Sequence, residues 1–295
     1  MRTLRTVTIV AVVATFAPSP LVSGARTPTL VGIRAAHHKG FDRIVFEFSG
    51  PPPDVARARW TSETLRLDPS HENAHVQGRA RISVLFRTAV AHDLVPPYES
   101  TILPHRRAYD LPNIAHLVLL GDVEGDVSFG IGLMKRTRFL RKTMLRQPSR
   151  FVIDVATDYR KARVRVFFID RSAYVEGDGE ILAPVMRTVP RGAKARSAMK
   201  RLYAGPTASE LAAGLAFVDS GTTGTRDLRV NARGVARVTL RGPCDSGGAA
   251  VTVGDEIKAT LRSRPAIDWV KILDRDGTTL YPKGRSDSLP ACLQP

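Results

Sequence analysis

The chain has 295 residues, past the ~250 at which a single hydrophobic core stops growing, so two domains of ordinary size are expected. Its 43% apolar and 24% charged residues are the balance of a chain that buries a core, which excludes disorder throughout, a collagen-like rod and a coiled coil. Against 28 acidic side chains stand 44 basic ones, a net +16, yet residues 26–160 carry +6 and residues 161–295 carry +8, so no basic arm or stripe marks a nucleic-acid binder.

In chain order, Arg2 and Arg5 precede an uncharged, mostly apolar run from Val7 to Ala17. Pro18 and Pro20 break it, and Leu21-Val22-Ser23-Gly24-Ala25 offers small residues for cleavage. Residues 1–25 therefore read as a secretory signal peptide. The run is shorter than the ~20 residues that span a bilayer. Alanine at position 25 leaves no cysteine to lipidate, so a secreted or envelope-associated protein is expected, with an uncleaved signal anchor as the alternative.

Phe41–Phe48 alternates and places Ile44, Phe46 and Phe48 on one face. Gly50-Pro51-Pro52-Pro53 stops the pairing. Further alternation at 81–86, 114–120, 127–131 and 151–155, with Gly, Pro and Asp turns between, predicts an all-β sandwich over 29–158. No helix-length periodic segment occurs between the leader and residue 160.

The second half, 163–282, changes character. Val164–Phe168 reads as a strand, and Ala195, Ala198, Met199 and Leu202 follow helical spacing up to Gly205-Pro206. Thr207 with Glu210 reads as a capping box opening a second short helix. Leu228–Val230 and Val235–Leu240 flank Asn231–Gly234 as a hairpin. Ala250, Val253, Ile257 and Leu261 mark another helix, capped by Ser246-Gly247-Gly248, and Ile267–Leu273 is a last strand. The succession β-α-β-β-α-β predicts a two-layer α+β domain, so the whole chain is α+β in class. Export favours a disulfide between Cys244 and Cys292, the only cysteines. It would tie down the short polar tail 283–295 and contribute ~4 kcal/mol on the chain-entropy model.

Three stretches imitate chemistry. His71-Glu72-Asn73-Ala74-His75 has the H-E-x-x-H spacing of a zinc hydrolase. Two histidines share a zinc when that spacing lies on a helix, ~6 Å apart; along a strand they stand ~13 Å apart. Alternation of Ala74, Val76, Ala80, Ile82 and Val84 favours a turn between strands, and a zinc hydrolase using His71, Glu72 and His75 is the alternative reading. Cys244-Asp245-Ser246-Gly247-Gly248 imitates a serine-protease nucleophile, but the sequence after it turns helical. Lys135, Arg136, Arg138, Arg141, Lys142, Arg146 and Arg150 surround Phe139. They are either an anionic-ligand site or a solvated edge strand blunted by charge. All seven histidines precede residue 120, so the second domain has no imidazole for acid–base work. It reads as a binding module without cofactor.

His38–Phe48, with Phe41-Asp42-Arg43 at its centre, resembles the opening of the AMIN-like domain of exported actinobacterial proteins. Phe129-Gly130-Ile131-Gly132-Leu133 and Pro148–Val155 fit its second half. Residues 163–280 resemble the GerMN domain of germination and sporulation proteins, through Val164–Phe168, Ala183–Arg187, Leu202–Thr207 with Glu210, Ile257–Leu261 and Val270–Ile272. The resemblance implies a β-sandwich followed by an α+β module without catalytic residues. It also implies a role in targeting to the cell wall or in envelope assemblies. The expected partners are a wall polymer such as peptidoglycan or an envelope protein, with an anionic membrane surface as a further class and nucleic acid excluded by export.

Overall fold

The computed structural model describes residues 26–177 and 180–295. The expected signal peptide lies outside them. No helix among the described residues is long and apolar enough to cross a membrane.

The first half is a β-sandwich. One sheet runs β1 (Thr29–His38), β2 (Phe41–Ser49), β9 (Ser149–Ala156), β8 (Phe139–Arg146). The other runs β3 (Val55–Thr61), β4 (Ala80–Arg87), β7 (Asp126–Leu133), β6 (Ile114–Val123), β5 (Arg106–Ala108). All pairings are antiparallel. Period-two alternation makes the layers: Ile44, Phe46 and Phe48 of β2 are buried, as are Ile82, Val84 and Phe86 of β4. Phe46 sits 5.1 Å from both Phe86 and Phe129, in tilted geometry. The expected strands are all present. β3 and β5 were not foreseen, because β3 (Val-Ala-Arg-Ala-Arg-Trp-Thr) spends alanine at its inward positions and β5 has three residues.

In the second half β10 (Lys161–Asp170) pairs with β11 (Leu182–Pro190) and β12 (Leu215–Ala216), both antiparallel. A second sheet holds β13 (Gly224–Val230), β14 (Val235–Arg241) and β15 (Trp269–Leu273), with β14–β15 parallel. Helices α2 (Lys194–Ala204) and α4 (Val253–Arg262) pack on each other and on β10, closing a core that includes Phe168, Leu202, Leu240 and Ile257. Two short helices, α1 (Arg171–Glu176) and α3 (Ala208–Ala212), complete it. The β-α-β-β-α-β succession is thus embellished by β11, β12, α1 and α3. Met134 and Ala115 of the first half pack into this second core, so the halves share a seam.

Two expectations about caps meet different ends. Thr207 and Glu210 form the reciprocal box at α3. The cap of α4, however, is Thr252 with Asp255, so the helix begins at Val253 and not directly after Ser246-Gly247-Gly248. Ser246 caps nothing: its hydroxyl donates to Gln294 O, fastening the C-terminus.

Cys244 and Cys292 form the disulfide, with Cα atoms 5.6 Å apart. The tail holds on by more than this bond, since Leu293 is buried and Leu289 packs beside it on the core. Thiol labelling of the unreduced, denatured protein is expected to find no free cysteine, and reduction to lower stability by up to ~4 kcal/mol. Two reactive thiols before reduction would contradict the pairing.

Candidate functional site: a basic cleft at the seam

The family-motif residues have structural work. Asp42 is fully buried, and its carboxylate accepts the backbone N–H groups of Asn113 and Ile114 at 2.6 and 2.9 Å. It thereby ties β2 to the start of β6. Arg43 forks onto Asp154 across β2–β9 at 2.7 and 2.8 Å, and its guanidinium lies over Phe41. In the second half Glu210 caps α3 and also receives the buried Arg187 through two bonds, of 2.7 and 2.5 Å. Burial pushes the Glu210 carboxyl up, but Arg187 and the Thr207 backbone outweigh it and hold it below the usual range. Gly205 and Pro206 precede this box at the seam, where Thr207 bridges Ala108 in parallel.

The H-E-x-x-H stretch is not a helix: it is irregular chain that follows the turn at residues 68–70 and is bridged at Asn73 to Arg66. His71 and His75 both have left-handed backbone, with φ of 57° and 46°, so the helical face on which a shared zinc depends is not formed. Among the described residues no group of three or more His, Cys, Asp or Glu is placed to hold a metal ion.

That stretch leads into residues 75–79, which form a wall of the seam. The segment lies so close on β7 that a Cβ at Gly132 would stand 1.7 Å from Gln77 O, so only glycine fits there. Gln77 is buried and crosses to the second half, its amide donating to Thr223 O at 2.9 Å. Arg201 crosses the other way. It is fully buried on α2, and its guanidinium donates to Tyr109 O at 2.6 Å, to Leu111 O and to Thr188 O at 2.9 Å.

Beside these rivets opens a cleft of about 820 Å³. Arg79, Lys135, Arg136, Arg160 and Arg191 line it, over a floor that includes Met134, Tyr159 and Pro190. None of the five has a carboxylate within ion-pair distance among the described residues. The one acidic residue of the cleft, Asp158, is taken by Arg138 at 2.5 Å. Lys135 lies 5.3 Å over the Tyr159 ring and Arg136 5.6 Å over Trp60, which fixes where both charges stand. Arg79 also lines an adjoining recess with Arg196, Lys200 and Arg226, so the positive surface continues along the seam. Burial, then repulsion from Arg241 and Arg81, lowers the Lys200 pKa to about 8.

Of the predicted basic cluster, the cleft gathers only Lys135 and Arg136. Arg141, Lys142 and Arg146 stand on β8, the outer strand of its sheet, and are exposed. Lys142 donates to Ala58 O and covers Phe139, and Arg150 lies on β9. These side chains are the charged edge that discourages further strand pairing. The other three cations of the cleft, Arg79, Arg160 and Arg191, come from three separate segments.

Residues 28–157 match the family model of the AMIN-like domain, which ends where β9 gives way to the seam. No curated protein and no solved structure matches the chain.

Proposed function

We propose that this is an exported, non-enzymatic cell-envelope protein whose seam cleft binds an anionic polymer of the cell wall. The observation that carries the reading is the set of five cleft cations without carboxylate partners. Unopposed like charges this close repel one another, and a polyanion laid across them relieves that repulsion. The AMIN-like half fits this assignment, since such domains belong to exported proteins of the cell wall. We further read residues 163–282 as a GerMN-type module that completes the cleft by supplying Arg191 and lines the adjoining recess with Arg196 and Lys200. The Gly205-Pro206-Thr207 and Glu210 arrangement supports that reading.

Residues 26–295 are expected to co-sediment with purified cell-wall sacculi at low salt and to be released as salt screens the charges. Replacing Arg79, Arg136 and Arg191 together by glutamate should weaken binding by at least about tenfold, since several ion contacts turn repulsive. All three side chains are exposed, so the fold should tolerate the change. Sacculi stripped of their anionic secondary polymers should retain little of the wild-type protein. The reading is sunk if the triple variant sediments like wild type, or if wild type stays in the supernatant at low salt.

A further inference from the structure

A second cavity, of about 350 Å³, opens at the other end of the 75–79 wall and is separated from the basic recess by Gln77. Gln77 seals that partition: its amide donates to His75 O and Thr223 O, and its carbonyl meets Lys200 Nζ at 3.4 Å. The chemistry beyond the partition differs from the cleft. One cation, Arg106, stands there in place of five. Its single hydrogen bond is a 3.3 Å contact to His75 O, and no carboxylate pairs with it among the described residues. His116 is 98% buried in the same wall. Its Nδ1 accepts the Gln77 backbone N–H at 3.0 Å, which places the ring proton on Nε2. That Nε2–H donor has no partner among the described residues. The rest of the lining is mixed: Tyr203, Pro206, Leu211 and Phe217 give an apolar side, Thr222 and Thr223 a polar one, and one carboxylate, Asp219, is engaged by the Gly221 N–H at 3.0 Å.

We propose that this cavity is a separate binding site for a small organic carboxylate, held by Arg106 and the His116 Nε2–H with its hydrocarbon part against Phe217 and Pro206. A carboxylate has two acceptor oxygens, matching one guanidinium and one neutral N–H donor. Burial and the Arg106 charge depress the His116 pKa to about 3, so the ring remains a neutral donor at every physiological pH. A polymer cannot enter a space this small, which separates the site from the wall-binding cleft. Small-molecule sites commonly combine an apolar lining with a few fixed polar groups in this way.

The test uses residues 26–295 and 3-phenylpropionate as probe, with 3-phenylpropionamide as its uncharged isostere, read by backbone and histidine-ring NMR shifts. The expected result is saturable shifts at His116 and Phe217 with the acid and at least about tenfold weaker binding of the amide, as the loss of a charge-assisted bond predicts. Arg106→Gln, on the exposed end of a short edge strand, should weaken the acid to the level of the amide. Arg191→Gln should leave acid binding unchanged while it weakens sedimentation with sacculi, so the two sites fail independently. Equal binding of acid and amide, or an Arg106→Gln protein that binds the acid like wild type, overturns the proposal. So does the absence of saturable shifts at millimolar probe.

Discussion

Arg201→Ala is expected to lower the unfolding free energy by about 5 kcal/mol, the largest loss from any single substitution at the seam. The guanidinium is fully buried, and its two terminal nitrogens donate to backbone carbonyls: Tyr109 and Leu111 from the first half, Thr188 from the second, while Nε has no partner. Alanine leaves those carbonyls dry and unpaired and opens a cavity the size of the side chain. Each unsatisfied buried carbonyl costs ~1–3 kcal/mol, against a net gain of only about 1 kcal/mol for a typical bond when it is made. Burial lowers the Arg201 pKa to about 10, so the group stays charged at neutral pH, solvated by carbonyl dipoles in place of a carboxylate. Trp60 lies in the first half and Trp269 in the second, so single-tryptophan versions report each half during urea unfolding. In the parent the two transitions should coincide; in Arg201→Ala they should separate. Arg201→Lys should recover only part, because one ammonium cannot fork to carbonyls on both sides. A loss below about 1 kcal/mol with coincident transitions would show that the seam does not depend on this residue.

The sandwich was legible because its strands carry their burial in period two. Ile44, Phe46 and Phe48 announce which face is inward without any knowledge of the partner sheet. The helices α2 and α3 were legible for an equally local reason, apolar spacing and a Thr-x-x-Glu box. Where the structure departs from the local pattern, the deciding contact is distant. Ser246 precedes a helical pattern, which locally marks it as the cap of α4. Its hydroxyl is instead claimed by Gln294 O, 48 residues on, and Thr252 takes the cap. Likewise His71 and His75 have metal-like spacing, but the local backbone at both is left-handed and the segment turns before it runs along β7.

The candidate site was less legible than the fold, and the reason is geometric. Lys135 and Arg136 sit in an obvious basic run, but the run splits on folding: its first two cations face the seam and most of the others line an outer strand. Arg79, Arg160 and Arg191 lie in three stretches far from that run, and only the β10–β11 pairing together with the wall at 75–79 assembles them. The same holds for Arg201. An arginine on the apolar face of a helical pattern reads as a breach of amphipathicity, and the carbonyls that justify it belong to loops some 90 residues earlier. Such a breach inside an otherwise regular helix is a local signal from which a buried seam could have been read.

The same logic of burial gives the protein's largest pH dependence, at Glu256 in the first turn of α4. A helix N-terminus favours a carboxylate by ~0.3–1 kcal/mol, but Glu256 is fully buried, and desolvating a charge costs several times more. Burial, with Asp255 and Asp219 nearby, therefore raises its pKa to about 9, against the hydrogen bond from the Val218 N–H that favours the ion. The folded protein holds this proton up to about pH 9, whereas the unfolded chain releases it near 4.5. Between those values the unfolded state binds fewer protons, so stability is full below pH 4.5 and falls as pH rises, by roughly 6 kcal/mol across the window and about 3 kcal/mol by pH 7. Glu256→Gln keeps the shape of the neutral acid and cannot ionise. It is expected to match the parent near pH 5, to exceed it by about 3 kcal/mol at pH 7 and by more at pH 9. Urea unfolding of both proteins at the three pH values isolates this group, because every other titration cancels in the difference. A difference independent of pH would mean that Glu256 ionises inside the folded core.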